Sequence, residues 1–273
     1  MKKNALENLC DIADYICPRS HLLLGLDFDG TLVPIQNIPS FVFMENKIRE
    51  LLDDLSKREN ITIAVISGRS LDDLIEKIGL ADIVYVGNHG LDIRGPGLRK
   101  IDVKALQKQR VVEKAFGLCQ GLLSKFPGIF MEDKVLSFAI HYRNIEPLRV
   151  PDLHFALKVI ASELGDVVIK TGKCLFEIYP HVETNKFTAF SWIASQTGGG
   201  SNIGKVYLGD DETDEDVFSS LKDGIGIRVG LEDASSARFF LKDPMEVEEF
   251  LAWLNQRDFG FSPVAGKFWS FYF

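Results

Sequence analysis

The segment Leu22-Leu23-Leu24-Gly25-Leu26 is apolar throughout and ends without transition in Asp27-Phe28-Asp29-Gly30-Thr31. A strand that is apolar on both faces belongs inside a parallel sheet covered on both sides by helices. These residues therefore restrict the fold to layered α/β architectures. In such sheets ligands collect outside the carboxyl ends of the strands, where this run places two carboxylates one residue apart. Continued strand geometry points Asp27 and Asp29 to the same face. Like charges that close require a cation or a proton between them. The arrangement suits a hard divalent metal, a nucleophilic carboxylate and a second carboxyl able to donate a proton. The plainer alternative is a strand ending in a solvated acidic turn.

The rest of the chain repeats the alternation. An amphipathic helix is expected over 4–16, with Leu6, Leu9, Ile12 and Ile16 on one face, followed by the strand at 22–27. A helix near 45–58, a strand at 61–66, a short helix after Ser70 and a strand at 83–86 come next. Strand–helix alternation of this kind predicts a parallel, doubly wound, Rossmann-like sheet. The pattern changes after residue 103: one long helix over 103–125, two strands within 129–142 (128–132 and 135–140), a helix over 152–164, and strands near 166–170 and 174–179. Two strand pairs that each adjoin a helix predict a small α+β domain inserted into the parallel core. Alternation resumes with a helix from Lys186, a strand at 205–208, a helix at 213–220, short strands near 224–228 and 237–240, and a closing helix at 245–255. The expected organisation is a discontinuous core (1–103 and 184–255), an inserted cap (104–183) and an unassigned aromatic-rich tail (256–273).

Composition narrows the partners. A net charge of −8 argues against nucleic acid or an anionic membrane surface, and an anionic substrate would need a metal or a few placed Lys and Arg residues. No apolar run reaches the length of a membrane span, and the first residues predict an amphipathic start instead of a secretory signal. Cys10, Cys17, Cys119 and Cys174 lack metal-ligand spacing and read as reduced thiols. A cytoplasmic location is the expectation.

Four strand ends or turns carry groups capable of chemistry. Beside Asp27, Asp29 and Thr31 stands Ser67-Gly68-Arg69, whose hydroxyl and backbone N–H groups suit a phosphoryl oxygen. Lys186 follows Thr184-Asn185 at a helix start, and Gly209-Asp210-Asp211-Glu212-Thr213-Asp214-Glu215 follows the strand Val206-Tyr207-Leu208. Each has a bland alternative: a common strand–turn–helix start, a solvated lysine, an acidic helix N-terminus favoured by the macrodipole. In this order and at these positions they resemble the haloacid dehalogenase superfamily, whose members transfer phosphoryl groups through an aspartyl phosphate. The inserted segment sharpens the resemblance. Gly87-Asn88-His89-Gly90, Met131-Glu132-Asp133-Lys134 with His141-Tyr142-Arg143, and Gly172-Lys173-Cys174-Leu175-Phe176-Glu177-Ile178-Tyr179-Pro180 are similar to the trehalose-6-phosphate phosphatase family. One departure is Phe187, where that family usually has Gly after the lysine.

The resemblance implies roles residue by residue. Asp27 would be the nucleophile, Asp29 the general acid and base, and Ser67 and Lys186 the phosphoryl-oxygen contacts. Mg²⁺ would be held by Asp27, the Asp29 carbonyl and Asp210, with Asp211 and Asp214 orienting its waters or the lysine. Thr31, Arg69 and His89 would line the substrate site, and Glu132, Lys134, Arg143, Lys173 and Glu177 would contact sugar hydroxyls, with His141 supporting Arg143. The implied substrate is trehalose 6-phosphate, and a trehalose-6-phosphate synthase is the implied partner. A phosphatase acting on sucrose phosphate or a glycosyl-glycerate phosphate, a phosphosugar mutase, and a non-catalytic sugar-phosphate sensor are the alternatives.

Overall fold

In the first part of the chain, apolar residues dominate the strands β2 (His21–Leu26), β3 (Ile61–Ile66) and β4 (Val84–Gly87), and the more polar strands β1 (Lys3–Asn4), β5 (Asp92–Gly95) and β6 (Leu98–Ile101) lie at or next to the sheet edges. Between them lie helices α1 (Leu9–Ile16), α2 (Asn46–Ser56) and α3 (Leu71–Ile78). After a long insertion come α7 (Lys186–Gln196), β11 (Ile203–Gly209), α8 (Glu212–Ser220), β12 (Ile225–Val229), β13 (Phe239–Leu241) and α9 (Pro244–Gln256). This is a computed structural model, and the residues it describes are 2–36, 41–172, 174–197, 202–231 and 234–261. Gly198-Gly199-Gly200 and most of the aromatic tail lie outside them.

Among the described residues these strands make a nine-stranded sheet in the order β1-β13-β12-β11-β2-β3-β4-β5-β6. It is parallel from β1 through β4 and turns antiparallel at β4–β5. Alternate side chains sort to opposite faces as strand geometry requires. Leu22, Leu24 and Leu26 of β2 join Ile12, Leu52, Leu74 and Phe250 in one layer. Leu23 joins Phe190, Ile193, Tyr207 and Phe218 in the other. Helices thus cover both faces, which is the doubly wound architecture expected.

The inserted segment forms its own core. It holds α4 (Val103–Gln107), α5 (Gln109–Gln120), β7 (Phe130–Asp133), β8 (Phe138–His141), α6 (Val150–Leu164), β9 (Val167–Gly172) and β10 (Leu175–Pro180). Its sheet runs β7-β8-β10-β9 with antiparallel pairing throughout, and α5 and α6 bury Val112, Ala115, Leu153 and Leu157 with Phe138, Phe176 and Ile178. The chain divides into two compact units, the described residues of Met1–Lys100 with Asn185–Phe273, and Ile101–Thr184. Within the second, Thr184 Oγ1 donates to Asp102 Oδ2, tying the entering and leaving segments together. No helix among the described residues is long and apolar enough to cross a membrane.

Four expectations need correction. The helix expected over 4–16 begins only at Leu9, because Lys3–Asn4 pair as β1 with β13 and Leu6–Asn8 form a 3-10 turn. The helix expected over 103–125 is two, broken at Lys108 (φ −93°, ψ 3°) and finished at Gln120. Gly121 starts a run of i→i+3 bonds, and Pro127 bars helical geometry for the residue before it. The β5 and β6 strands lie in a stretch assigned to no element, joined across Pro96 and Gly97, whose φ of +66° suits a tight turn. The strand expected over 135–140 starts only at Phe138, because Val135 sits at φ +70° in the preceding turn.

Candidate active site

Adjacent strands β11, β2 and β3 end level with one another: Leu26 of β2 pairs with Leu208 and with Val65. Asp27, Ser67 and Asp210 follow the last residues of these strands directly. They are gathered at the carboxyl edge of the sheet by register alone. β2 ends at Leu26, so Asp27 and Asp29 lie beyond the strand, and the expectation of a shared strand face fails. Gly30 (φ +89°) turns the chain, with its N–H bonded to Val33 O at 2.7 Å. The two carboxylates go to different cations: Asp27 to Lys186, Asp29 to Arg69.

Lys186 opens α7 behind an Asn185 capping box completed by Thr188. A lysine at that position is ordinarily solvated, yet here it is only 2% exposed. Its Nζ donates to Asp27 Oδ1 at 2.8 Å and to Asp214 Oδ1 at 2.7 Å. Asp214 also accepts from the Tyr207 hydroxyl at 2.7 Å, and its Oδ2 accepts the Asp210 and Asp211 amides at 3.1 and 2.9 Å. Burial pushes the Asp27 carboxyl well above the usual carboxylate range; Lys186 pulls it back, and Asp214 and Asp210 push it up further. Burial works against the Lys186 ammonium, but Asp214 and Asp27 outweigh it and raise its pKa. Burial and the Asp214 charge raise Tyr207 well above an ordinary phenol.

Two glycines admit the acidic groups. A Cβ on Gly30 would stand 2.1 Å from Asp210 Oδ2, and one on Gly209 would stand 2.2 Å from the Asp214 Cγ. Asp27, Asp210 and Asp214 each offer a carboxylate oxygen within 4.8 Å of the others, all three residues being buried. Three buried carboxylates facing one ammonium leave excess negative charge in low dielectric, and their hard oxygen donors fit a divalent cation such as Mg²⁺. Asp214 is the poorest donor of the three, because four protein hydrogens already occupy it. Asp211 caps α8 through a bond from the Glu212 amide at 2.7 Å and is part-exposed. Arg228 of β12 steadies this loop by donating to Asp211 O at 2.9 Å.

On the other flank, Arg69 is 6% exposed and bonds Asp29 through Nε and Nη2 at 2.6 and 2.7 Å and Asp73 through Nη1 at 2.8 Å. Ser67 is buried, and its Oγ accepts the Arg69 amide at 3.2 Å. Asn88 and His89 follow β4 in the left-handed region (φ +50° and +52°), held by amide bonds to Arg69 O and Ser67 O at 2.8 and 2.9 Å. That costs on the order of 1–2 kcal/mol per residue and lays the His89 ring against Gly68, whose Cβ would stand 2.2 Å from Nε2. Thr31 Oγ1 is buried with no hydrogen-bond partner among the described residues. Phe187 is half-buried and packs on the core layer that holds Phe190 and Tyr207.

The inserted unit has a polar cluster of its own. Register aligns Glu132 of β7, Ala139 of β8 and Glu177 of β10 in one row. Lys134 Nζ donates to Glu177 Oε1 at 2.5 Å and Tyr179 OH to Glu177 Oε2 at 2.6 Å, all three residues being buried. His141 pairs with Glu132 at 2.8 Å and not with Arg143, which is exposed in the turn after β8. Lys173 lies outside the described residues. Tyr207, Tyr179, Asp73 and Arg228 were not anticipated. An aromatic residue in an apolar strand reads as core, and an acid four residues after an arginine reads as a helix-face pair.

A doubly wound sheet with an inserted α+β unit, and an aspartate-bearing loop, serine turn, buried lysine and acidic loop at its strand ends, defines the haloacid dehalogenase class of phosphoryl-transfer proteins. The match is closer than class level. The family profile described as trehalose-phosphatase matches residues 25–245, so the chain belongs to the trehalose-phosphatase family. Trehalose-phosphate phosphatase of Mycobacterium tuberculosis is 33% identical over 232 residues, covering 82% of this chain and 59% of that protein. Trehalose-phosphate phosphatase B of Arabidopsis thaliana is 28% identical over 245 residues, covering 84% and 65%. This chain thus spans about two thirds, or less, of the length of these curated relatives. A crystal structure of a trehalose-6-phosphate phosphatase related protein superposes with a TM-score of 0.76 at 26% identity, covering 86% of this chain and 97% of that one.

Proposed function

We propose that the protein hydrolyses trehalose 6-phosphate to trehalose and phosphate through an acyl phosphate on Asp27. The observation that carries this reading is the Asp27–Lys186–Asp214 chain at the end of β2, which fixes one carboxylate oxygen and leaves the other for attack. Asp27 Oδ2 would attack phosphorus in line while the phosphorus–sugar oxygen bond breaks. Asp29 would protonate the departing oxygen and then take a proton from the water that cleaves the aspartyl phosphate. Arg69 would hold Asp29 in position between these steps, and Ser67 and Lys186 would contact the phosphoryl oxygens. Asp27, Asp210 and the Asp29 carbonyl would hold Mg²⁺, which offsets phosphoryl charge when bound. Asp211 and Asp214 support the site through the loop and the lysine.

The inserted unit is the sugar-recognising part of this proposal, its residues 104–183 joined to the core residues 1–103 and 184–255. Glu132, Lys134 and Glu177 offer charged hydrogen-bonding groups in one cluster, suited to a disaccharide's many hydroxyls. Arg143 and Lys173 are further contacts in this reading, and Thr31 and His89 line the phosphoryl end. A cytoplasmic location and a trehalose-6-phosphate synthase acting upstream accord with the activity. Asp27→Asn tests the reading directly: phosphate release from trehalose 6-phosphate should fall to background while the fold is kept, and retained turnover would refute it.

A further inference from the structure

Tyr207 is fully buried in β11, between Phe190 and Phe218 at centroid distances of 5.4 and 5.8 Å. The sheet is cleared for its ring. Gly25, its register partner on β2, could carry no side chain, since a Cβ there would stand 2.5 Å from Tyr207 Cδ2 and 2.6 Å from Phe190 Cε2. A phenylalanine would fill this space equally well. A buried hydroxyl is unfavourable unless it is hydrogen-bonded, and this one ends on the carboxylate that also holds Lys186. We propose that Tyr207 is a positioning residue for phosphoryl transfer, its hydroxyl fixing Asp214 so that Lys186 is held against Asp27.

The geometry gives the reason. A carboxylate has about four lone-pair sites, and Asp214 fills them with the Tyr207 hydroxyl, Lys186 Nζ and the amides of Asp210 and Asp211. The amides fix Oδ2 from the loop side, while Tyr207 fixes Oδ1 from the sheet side. With the hydroxyl gone, Lys186 is the one hydrogen-bond donor left to Oδ1 among the described residues, and the ammonium is free to move toward Asp214 and away from Asp27. Nucleophile orientation is then lost without any change in groups that bind the sugar. The effect belongs in kcat and not in KM.

The inference rests on the aspartyl-phosphate reading above, and its test separates the two. Tyr207→Phe, Phe218→Leu and Asp27→Asn would be prepared in the full chain and assayed with Mg²⁺ on trehalose 6-phosphate and on p-nitrophenyl phosphate, well below each variant's melting midpoint. Tyr207→Phe should lower kcat about tenfold or more on both substrates, the usual scale for a bond to a buried charge, with KM held within about threefold. Phe218→Leu loosens the same ring stack but keeps the hydroxyl, and should lower the melting midpoint while keeping kcat. An unchanged kcat in Tyr207→Phe, a change confined to KM, or an equal kcat loss in Phe218→Leu would overturn the proposal. Activity surviving in Asp27→Asn would end the wider reading instead, whatever Tyr207→Phe does.

Discussion

Arg69 holds the Asp29 carboxylate with two parallel bonds, Nε to Oδ2 at 2.6 Å and Nη2 to Oδ1 at 2.7 Å. A third guanidinium N–H goes to Asp73 at 2.8 Å, and the guanidinium carbon lies 5.4 Å from the centroid of the Phe28 ring. The planar fork is therefore fixed on three sides, and it fixes Asp29 in turn. Asp27, two residues earlier, faces Lys186. The two carboxylates are kept apart by giving each its own cation.

Arg69→Lys replaces the fork by a point charge. We expect kcat to fall about ten- to a hundredfold on trehalose 6-phosphate. Asp73→Asn leaves the Arg69–Asp29 pair in place and should have a smaller effect. Steady-state kinetics on both variants checks the order, and an equal loss in the two would contradict it.

Asp29→Asn separates the two chemical steps. p-Nitrophenolate leaves without needing a proton, so the variant should release about one equivalent of nitrophenol in a burst and then stall at water attack. Turnover of trehalose 6-phosphate, which needs the proton in both steps, should fall about 10²- to 10⁴-fold. Rapid-mixing absorbance reads the burst; its absence alongside full steady turnover would remove Asp29 from the chemistry.

Gly30 and Gly79 both have positive φ, +89° and +68°, but differ in surroundings. A Cβ on Gly79 meets nothing within 4 Å, whereas one on Gly30 meets the Asp210 carboxylate at 2.1 Å. Gly79→Ala should cost about 1 kcal/mol of stability and keep full activity. Gly30→Ala should displace Asp210, weakening Mg²⁺ binding measured by calorimetry and lowering kcat about a hundredfold or more.

Lys134 and Glu177 form a buried pair, so Lys134→Ala would strip a buried carboxylate of its cation at about 3–5 kcal/mol. Glu177→Gln is the cleaner probe of sugar recognition because it keeps the volume. KM for trehalose 6-phosphate should rise about tenfold or more, with a much smaller change for p-nitrophenyl phosphate. Equal losses on both substrates would take Glu177 out of sugar binding.

Burial pushes the Cys119 thiol from 9.0 up to about 12. The folded state therefore holds this proton more tightly than the unfolded one. Its contribution to stability is complete below pH 9.0 and is lost as pH rises toward about 12. Urea midpoints taken across that range should fall less steeply in Cys119→Ala than in the parent, and exposed Cys10 and Cys17 should react with a thiol reagent before Cys119 does.

The apolar runs of β2, β3 and β11 were legible because a strand buried on both faces has no other way to be written. Their ends placed Asp27, Ser67 and Asp210 correctly at one sheet edge. Pairing was not legible, since it depends on register and distance along the chain. Lys186 reads as solvated until α7 packs it between Asp27 and Asp214, and Glu177 meets Lys134 only through the β7-β8-β10 register. Tyr207 was invisible for a different reason: its ring satisfies the core pattern, and only the hydroxyl reaches the site. The Pro96-Gly97 turn was a readable signal for β5 and β6.

The most direct test is phosphate release from trehalose 6-phosphate against sucrose 6-phosphate, a glycosyl-glycerate phosphate and simple hexose phosphates, with Mg²⁺ and with a chelator. The account predicts metal-dependent release with trehalose 6-phosphate preferred by about a hundredfold or more in kcat/KM. Equal or greater release from another sugar phosphate, or release undiminished by the chelator, would contradict it.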